Sequence, residues 1–527
     1  ASRDGEMTFR YVYQYLNCTL PCFRLWISSL TDESVRKGME NLKPDSCYDS
    51  LFLSADSRNK ADWILGINAS YAMCKATGLG NNSLGRVQTP VLAAISRRYR
   101  ERENHIPSDS WPIYISLQKD GILFKMRRTQ DLPDKESATM FFQDCKLAHQ
   151  AQITGISHSV KEILPPDLLD LTQLQKEANI RYGFTASEVY DIAQSLYEKK
   201  LISYPRTSSR YLTEDVLDSL SPIMARLLSW ELFPAAKGTG GIDISSLSRH
   251  VINAEKANVH HAIIITGIRP GNMSEKEMQV YRLVAGRMLE TFMAPCRIET
   301  TNVEAVCAAQ HFKAEQTRII EAGWHDVFMR SDMIPTSGYS VKELPEVEKG
   351  DTLNVCGCNL VHKKQLPVNP FTDAELVEYM EQNGLGTVSS RTNIIRTLVN
   401  RKYIRYSGKY IVPTPKGMFT YETIRGKKIA DTSLTADWEK QLAGLESGMI
   451  TGQDFLNRIR TLVKEMTDDI FNTYLRKRGT ANPYYSEYCD GKSVTCPGLK
   501  QWGTVTLANN GRNALQILRY YYGSDIE

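Results

Sequence analysis

Leu196-Tyr-Glu-Lys-Lys-Leu-Ile-Ser-Tyr-Pro-Arg-Thr-Ser-Ser209 carries an apolar-striped helix through a basic turn into a short extended segment. The same passage is written a second time. Leu398-Val-Asn-Arg-Lys-Tyr-Ile-Arg-Tyr406 matches Leu196–Tyr204 position for position in residue character. Thr185-Ala-Ser-Glu188 and Thr372-Asp-Ala-Glu375 are capping boxes, in which hydroxyl and carboxylate satisfy amides at a helix start. The second copy continues as Tyr406-Ser-Gly-Lys-Tyr-Ile-Val-Pro-Thr414, a hairpin with a Ser-Gly turn. Helix, helix and hairpin together make the winged-helix form, often used to present a helix to DNA. Both helical regions are therefore expected to be winged-helix-like.

Around these regions the periodicity changes. Residues 7–105 carry apolar residues at helical spacing, and residues 108–165 switch to short alternating segments such as Trp111–Leu117 and Gly121–Lys125. Helical pattern returns at Thr172, strand pattern at Ile298–Val306 and Phe312–Ile320, and a last helical region starts near Thr372. A β region visited twice, on both sides of a helical one, predicts a multidomain α+β protein with a discontinuous β domain. The length of 527 residues suits roughly three or four domains. Apolar content of 42% and charged content of 24% exclude a disordered chain. No apolar run reaches the ~18 residues of a spanning helix, and no signal-peptide pattern opens the chain. A net charge of +4 places any polyanion site in a local groove. The eleven cysteines read as reduced thiols, since Cys356-Gly-Cys358 and the Cys489/Cys496 pair lack zinc-ribbon spacing.

The extended segment carries the chemistry. A tyrosine hydroxyl is a weak nucleophile because its pKa is ~10, and a permanently charged, forked guanidinium beside it stabilises phenolate and grips phosphate. Pro205 fixes the backbone between Tyr204 and Arg206, so the two point the same way along extended chain. Tyr406, at the equivalent position, lacks the Pro-Arg-Thr-Ser-Ser that follows Tyr204, so Tyr204 is the candidate nucleophile. Five other groups of residues sit in the chemical class of phosphodiester handling. Arg3-Asp-Gly-Glu6 sets two acids, Asp4 and Glu6, at a helix start, where they suit either Mg²⁺ or the helix dipole. Ser83-Leu-Gly-Arg-Val-Gln-Thr-Pro90 opens a helix with Arg86, Gln88 and Thr89 in a phosphate-binding position. Arg58 and Asp62, four apart, share a helix face as an ordinary ion pair would. Asn258-Val-His-His-Ala-Ile-Ile-Ile-Thr266 sets His260 and His261 against a buried strand, and one of them can bond a phosphate oxygen or relay a proton. Gly384-Leu-Gly-Thr-Val-Ser-Ser-Arg391 is a glycine turn with hydroxyls and an arginine at a helix start.

In this order the motifs resemble the type IA DNA topoisomerases, nearest the bacterial topoisomerase III branch. The resemblance runs from residue 1 to about 470 and rests on residues 3–6, 57–62, 83–90, 202–207, 260–264 and 383–387, with Leu434-Thr-Ala-Asp-Trp-Glu439 fitting a late region. It implies a toroid with winged-helix-like (CAP-like) helical domains, a toprim domain and a discontinuous β-rich arch. By that likeness residues 1–30 are a toprim remnant, 31–105 the first part of a helical base domain and 106–165 the first part of the arch. Residues 166–297 become the helical domain with the catalytic tyrosine, 298–368 the returning arch, 369–475 the second part of the base domain and 476–527 a tail without a clear zinc finger. The resemblance further implies that Tyr204 cuts one strand, holds its 5′-phosphate and religates it without ATP after strand passage. Arg206 and His260 would complete the catalytic set. Arg58, Asp62, Ser83, Arg86, Gln88, Thr207, Ser208, Thr387 and Arg391 would contact DNA. Asp4 and Glu6 would contribute to a Mg²⁺ site.

The chain departs from the pattern at its start. The family's acidic-x-acidic-x-acidic run would end at Asp4, Ser2 stands at its middle position, and its first acid would precede Ala1. The metal site is therefore expected to be incomplete. The competing expectation is a single-stranded DNA-binding fragment without cleavage. A tyrosine recombinase fits less well, because Tyr204 lies mid-chain and ahead of His260. Expected partners are single-stranded or negatively supercoiled DNA and a helicase, for a cytoplasmic, nucleoid-associated monomer without membrane contact.

Overall fold

A computed structural model describes residues 3–26, 32–77, 82–230, 232–233, 251–253, 256–257, 260–329, 334–470, 488–489, 499–524 and 526. The chain forms two compact units, Ala1–Phe52 with Val91–Tyr421, and Leu53–Pro90 with Glu422–Glu527. In chain order the elements that matter are helices α1 (Arg3–Tyr15), α2 (Asp49–Thr77) and α3 (Gln88–Glu103), then strands β1 (Ile113–Lys119) and β2 (Ile122–Arg128). Helix α4 (Lys135–Leu147), strand β3 (Gln150–Ile163) and helices α5 (Leu171–Tyr182), α6 (Ala186–Glu198) and α7 (Glu275–Thr291) follow. Strands β4 (Cys296–Cys307), β5 (Gln310–Glu321) and β6 (Thr352–Leu360) precede helices α8 (Asp373–Gln382) and α9 (Val388–Asn400). Strands β7 (Ile404–Ser407) and β8 (Tyr410–Pro413), then helices α10 (Ser433–Glu446) and α11 (Gly452–Ile470), complete the set. Among the described residues no helix is long and apolar enough to cross a membrane.

In the first unit the strands on both sides of the α5–α7 segment close into one antiparallel barrel, in the order β1-β2-β5-β4-β3-β6. Alternation explains its filling. Ile113, Ile115 and Leu117 point inward from β1, Phe124 and Met126 from β2, Val303 and Ala305 from β4, and Phe312 and Ala314 from β5, all buried. A barrel this small is packed by its own side chains, and closure leaves no sheet edge.

The helical part of this unit is built from the duplicated passage, and the duplication extends to individual hydrogen bonds. Glycines 183 and 384 take left-handed backbone between the two helices of each copy, at φ of 70° and 63°. Helices α6 and α9 then end on left-handed lysines, Lys200 at φ 59° and Lys402 at 60°. The Leu201 amide returns to the Leu196 carbonyl and the Tyr403 amide to the Leu398 carbonyl, both at 2.9 Å. The Thr266 hydroxyl donates to the Lys200 carbonyl, and the Thr414 hydroxyl to the Lys402 carbonyl, both at 2.6 Å. The copies differ in one respect. In the second, β7 and β8 form a local hairpin with Ile404 opposite Pro413. In the first, Ile202 pairs with Ile265, so the hairpin is opened by the long insertion between them.

The two copies pack on each other, α5 against α8 and α6 against α9. This places α8 and α9 in the first unit, whereas the sequence grouped residues 369–475 as one base-domain segment. A polar joint sits at this contact. The Gln175 amide donates to the Ala186 carbonyl and the Thr392 hydroxyl, each at 2.9 Å. Asp373 accepts the Ala186 amide at 3.2 Å and the Tyr406 hydroxyl at 3.1 Å. Burial pushes the Asp373 carboxyl up to about 6 and also raises the Tyr406 phenol, with Glu188 repelling both charges. The second unit holds a separate core in which Leu65, Ala69 and Met73 of α2 meet Trp438, Leu442 and Leu445 of α10 and Phe455 and Ile459 of α11.

A carboxyl whose native pKa lies above its unfolded value of 3.8 adds stability below that pH and loses it as pH rises through about 6. Asp373→Asn keeps an acceptor oxygen and removes the ionisation. Relative to the native chain, the variant is expected to gain stability between about pH 4 and pH 6 and to keep that gain above, in urea unfolding measured against pH. A stability difference independent of pH over this window would show that Asp373 does not titrate there.

Candidate active site

The segment after α6 is clamped from two directions. On one side the Ser203 amide donates to the Ile264 carbonyl at 2.8 Å. The Ser203 hydroxyl accepts the Ile264 amide at 3.0 Å and donates to the Ala262 carbonyl at 3.1 Å. On the other side the Leu171 amide, at the head of α5, bonds the Thr207 carbonyl at 3.1 Å. Burial alternates from Pro205 onward: Pro205, Thr207 and Ser209 are buried, Arg206 is half-buried and Ser208 is exposed, with Tyr204 half-buried before them. The Thr207 hydroxyl donates to the His260 carbonyl at 2.9 Å. The expectation that Thr207 contacts DNA is corrected here, because alternation turns it into the core.

Two rings flank Tyr204, and a third lies against the guanidinium of Arg206. The His260 ring centroid lies 4.5 Å from that of Tyr204, tilted by 44°. Tyr197 meets Tyr204 edge-on at 5.3 Å, and burial together with the neighbouring Tyr204 raises the Tyr197 phenol. Arg206 donates to the Gln194 side-chain oxygen at 3.1 Å and lies 5.1 Å from the Tyr190 ring centre. Its Nε is buried without a hydrogen-bond partner, so the charge is held but its donors are not exhausted. Of the histidine pair, His260 faces the tyrosine. His261 is buried, with Nδ1 at 2.7 Å from the Ala262 carbonyl oxygen. Tyr190, Gln194 and Tyr197 were absent from the residues singled out by sequence, although their i, i+4, i+7 spacing puts them on one face of α6.

The second unit holds Arg58, Asp62, Ser83, Arg86 and Gln88. Arg86 is buried and forked onto Asp62, Nε to Oδ1 at 2.8 Å and Nη2 to Oδ2 at 3.3 Å. Its third arm lies 3.5 Å from Glu439, and its guanidinium sits 4.9 Å from the Trp438 ring centre. The anticipated Arg58–Asp62 ion pair is thus replaced by Asp62–Arg86, because burial favours the bidentate partner. Gln88 turns back to donate to the Ser83 carbonyl at 3.3 Å.

In the first unit Thr387 caps α9, its amide accepted by the Ser390 hydroxyl at 2.8 Å. Arg391 is buried and bonds the Thr172 hydroxyl at 3.0 Å and Glu381 at 3.2 Å. A phosphate contact by Arg391 does not fit this placement, which has the arginine joining α9 to α5 and α8.

The acids at the chain start do not fit a magnesium ion. Glu6 is fully buried, with Oε1 accepting Arg10 Nε at 2.9 Å and Oε2 accepting Arg24 Nη2 at 2.6 Å. Arg10 also reaches Asp49 at 2.8 Å, and the Arg24 guanidinium lies 3.8 Å from the Phe9 ring centre. Both oxygens of Glu6 are spent on guanidiniums, which corrects its reading as a metal ligand. Asp4 alone supplies one carboxylate, and among the described residues no group of three or more His, Cys, Asp or Glu side chains is arranged to hold a metal.

Comparison with known proteins gives one consistent family. A family model described as DNA topoisomerase matches residues 46–457. DNA topoisomerase 3 of Bacillus licheniformis is 32% identical over 495 residues, covering 89% of this chain and 67% of that protein. DNA topoisomerase 3 of Bacillus subtilis is 31% identical over 550 residues, covering 98% and 72%. Full-length topoisomerase I from Thermotoga maritima superposes with a TM-score of 0.70 at 23% identity, over 92% of this chain and 79% of that one.

The Glu6 cluster makes a direct prediction. Glu6→Gln keeps the side-chain shape but removes the counter-charge that Arg24 and Arg10 share, leaving Arg10 with Asp45 and Asp49 alone. Loss of one partner of a buried ion pair costs about 3–5 kcal/mol. The variant should therefore unfold at clearly lower denaturant, and an unchanged midpoint would show that Glu6 is not the hub of this cluster.

Proposed function

This chain belongs to the type IA DNA topoisomerase family, and from that premise we propose that it changes DNA topology by cutting one strand through Tyr204. The phenol oxygen attacks a phosphodiester phosphorus, forming a tyrosine–phosphate bond. The bond to the 3′ oxygen breaks, the phenol proton is lost, and the departing oxygen leaves as a 3′-hydroxyl after taking up a proton. The broken strand remains attached by its 5′-phosphate. Another strand passes, and the 3′-hydroxyl reverses the step. Exchange of one phosphodiester for another conserves the bond energy, so the cycle needs no ATP.

The observation that supports this reading is the His260 ring packed on Tyr204, with Arg206 two residues on, half-buried and held by Gln194. Arg206 is placed to stabilise phenolate and the charge that develops on the phosphoryl oxygens. His260 is placed to bond one of those oxygens or to move the proton. Gln194 and Tyr190 hold the guanidinium, and Tyr197 and His260 confine the tyrosine ring. No step is assigned to magnesium, because the acids described do not form its shell. Arg86, buried and held by Asp62 and Glu439, would shape its own turn and present Ser83 and Gln88 to a strand.

A 3′-end-labelled single-stranded oligonucleotide tests the assignment. Tyr204→Phe should abolish the covalent adduct on a denaturing gel while binding stays within about twofold, since only a hydroxyl is lost. Tyr406→Phe should keep the adduct. Arg206→Ala should slow adduct formation by about 10²-fold, the usual effect of removing one transition-state donor. An adduct with Tyr204→Phe would sink the mechanism, and binding without any adduct in the unmodified chain would favour a DNA-binding role alone.

A further inference from the structure

The barrel carries a second polar site, separate from the Tyr204 segment. Outward-facing residues of β1 and β2 form one wall of a cleft of about 460 Å³, and the loop Gly338–Glu343 forms the other. The cleft is lined by Tyr114, Lys125, Arg127, Tyr339 and Lys342, with Glu343 as an acid at its edge. Its loop is pinned. The Glu315 amide donates to the Tyr339 carbonyl at 2.9 Å, the Val341 amide to the Glu315 carbonyl at 2.8 Å, and the Gln316 side chain to the Lys342 carbonyl at 3.1 Å. The Tyr339 hydroxyl is anchored on the Thr129 carbonyl at 2.9 Å. Arg127 donates to the Gly338 carbonyl at 3.3 Å and pairs with Asp131 at 2.7 Å. A Cβ at Gly338 would lie 2.6 Å from Arg127 Nη1, so a larger residue there would displace the guanidinium.

Cations gather on the two phenol rings. Arg127 and Lys313 lie 5.6 and 5.9 Å from the Tyr339 ring centre. Lys363 bonds the Tyr114 hydroxyl at 3.3 Å. Lys125 and Lys342 are exposed at the mouth. Asp131 offsets Arg127 and Glu343 offsets one lysine, so a positive excess remains. Half-buried rings bordered by cations provide two functions at once: a surface for a base to stack on and charges for the phosphates beside it. A cleft of this volume lies within the usual range for small-molecule sites.

We infer that this cleft binds single-stranded DNA, taking a base between Tyr114 and Tyr339 and neighbouring phosphates on Lys125 and Lys342. It is a second strand-binding site on the barrel. The inference rests on family membership and the cleft geometry, and it is independent of the role proposed for Tyr204.

Photocrosslinking of the full chain to bromodeoxyuridine-substituted oligothymidylate tests it, with anisotropy against salt as the second readout. Crosslinked peptides should include Tyr114 or Tyr339. Those crosslinks should persist in Tyr204→Phe and disappear in the Tyr114→Ala/Tyr339→Ala double variant. Lys125→Glu/Lys342→Glu should lower the slope of log K against log salt by about 1.4, since each phosphate released on a single strand counts about 0.7. The same variant should still form the adduct at Tyr204. Absence of crosslinks at the cleft, or an unchanged salt slope in the folded lysine variant, overturns the inference while leaving the cleavage reading intact. Failure of the adduct in the unmodified chain with cleft crosslinks retained overturns the cleavage reading alone.

Discussion

The Ser203 hydroxyl accepts the Ile264 amide and donates to the Ala262 carbonyl, and the arrangement around Tyr204 depends on that clasp. Buried backbone groups must find partners, and this segment finds them in residues 262–264, about sixty residues away. With this segment held, burial alternates over residues 205–209, Thr207 is turned into the core, and the His260 ring lies against Tyr204.

The charged groups obey a different rule. A guanidinium removed from water needs acceptors, and it takes whichever carboxylates the packing brings close. Arg86 takes Asp62, Arg391 takes Glu381, and Arg10 and Arg24 share Glu6. Arg86 and Arg391 looked available for phosphate and Glu6 for metal when read along the chain, because phosphate-binding and structural arginines occur in the same turns. Arg206 differs in being held by a neutral amide and a ring, with no carboxylate paired to it among the described residues. That distinction is chemical, and it separates the residue proposed to act on phosphate from those that join helices.

The duplicated helix–turn–strand passage accounts for much of what the sequence revealed. Capping boxes, left-handed glycines and basic turns are local devices, and local devices survive in any tertiary setting. The matched bonds at Lys200 and Lys402 are therefore visible as matched residues. The alternating segments on either side of the helical region were legible as strands for a similar reason, since period-two burial follows from the pleat. Their closure into one barrel accords with a strand region visited twice. Less accessible was the opened hairpin, because the partner of Ile202 is not its neighbour in sequence.

By itself the sequence determined the family, the helices with their caps and the strand segments, all from short-range pattern and motif order. Tertiary structure alone decided which arginines are neutralised, which face of α6 supports Tyr204 and Arg206, and where the barrel gathers its tyrosines and lysines. The physical reason is range. Turns, caps and alternation are set by bonds within a few residues. Ion pairing, ring contacts and burial depend on distances between segments that the chain order does not encode one by one.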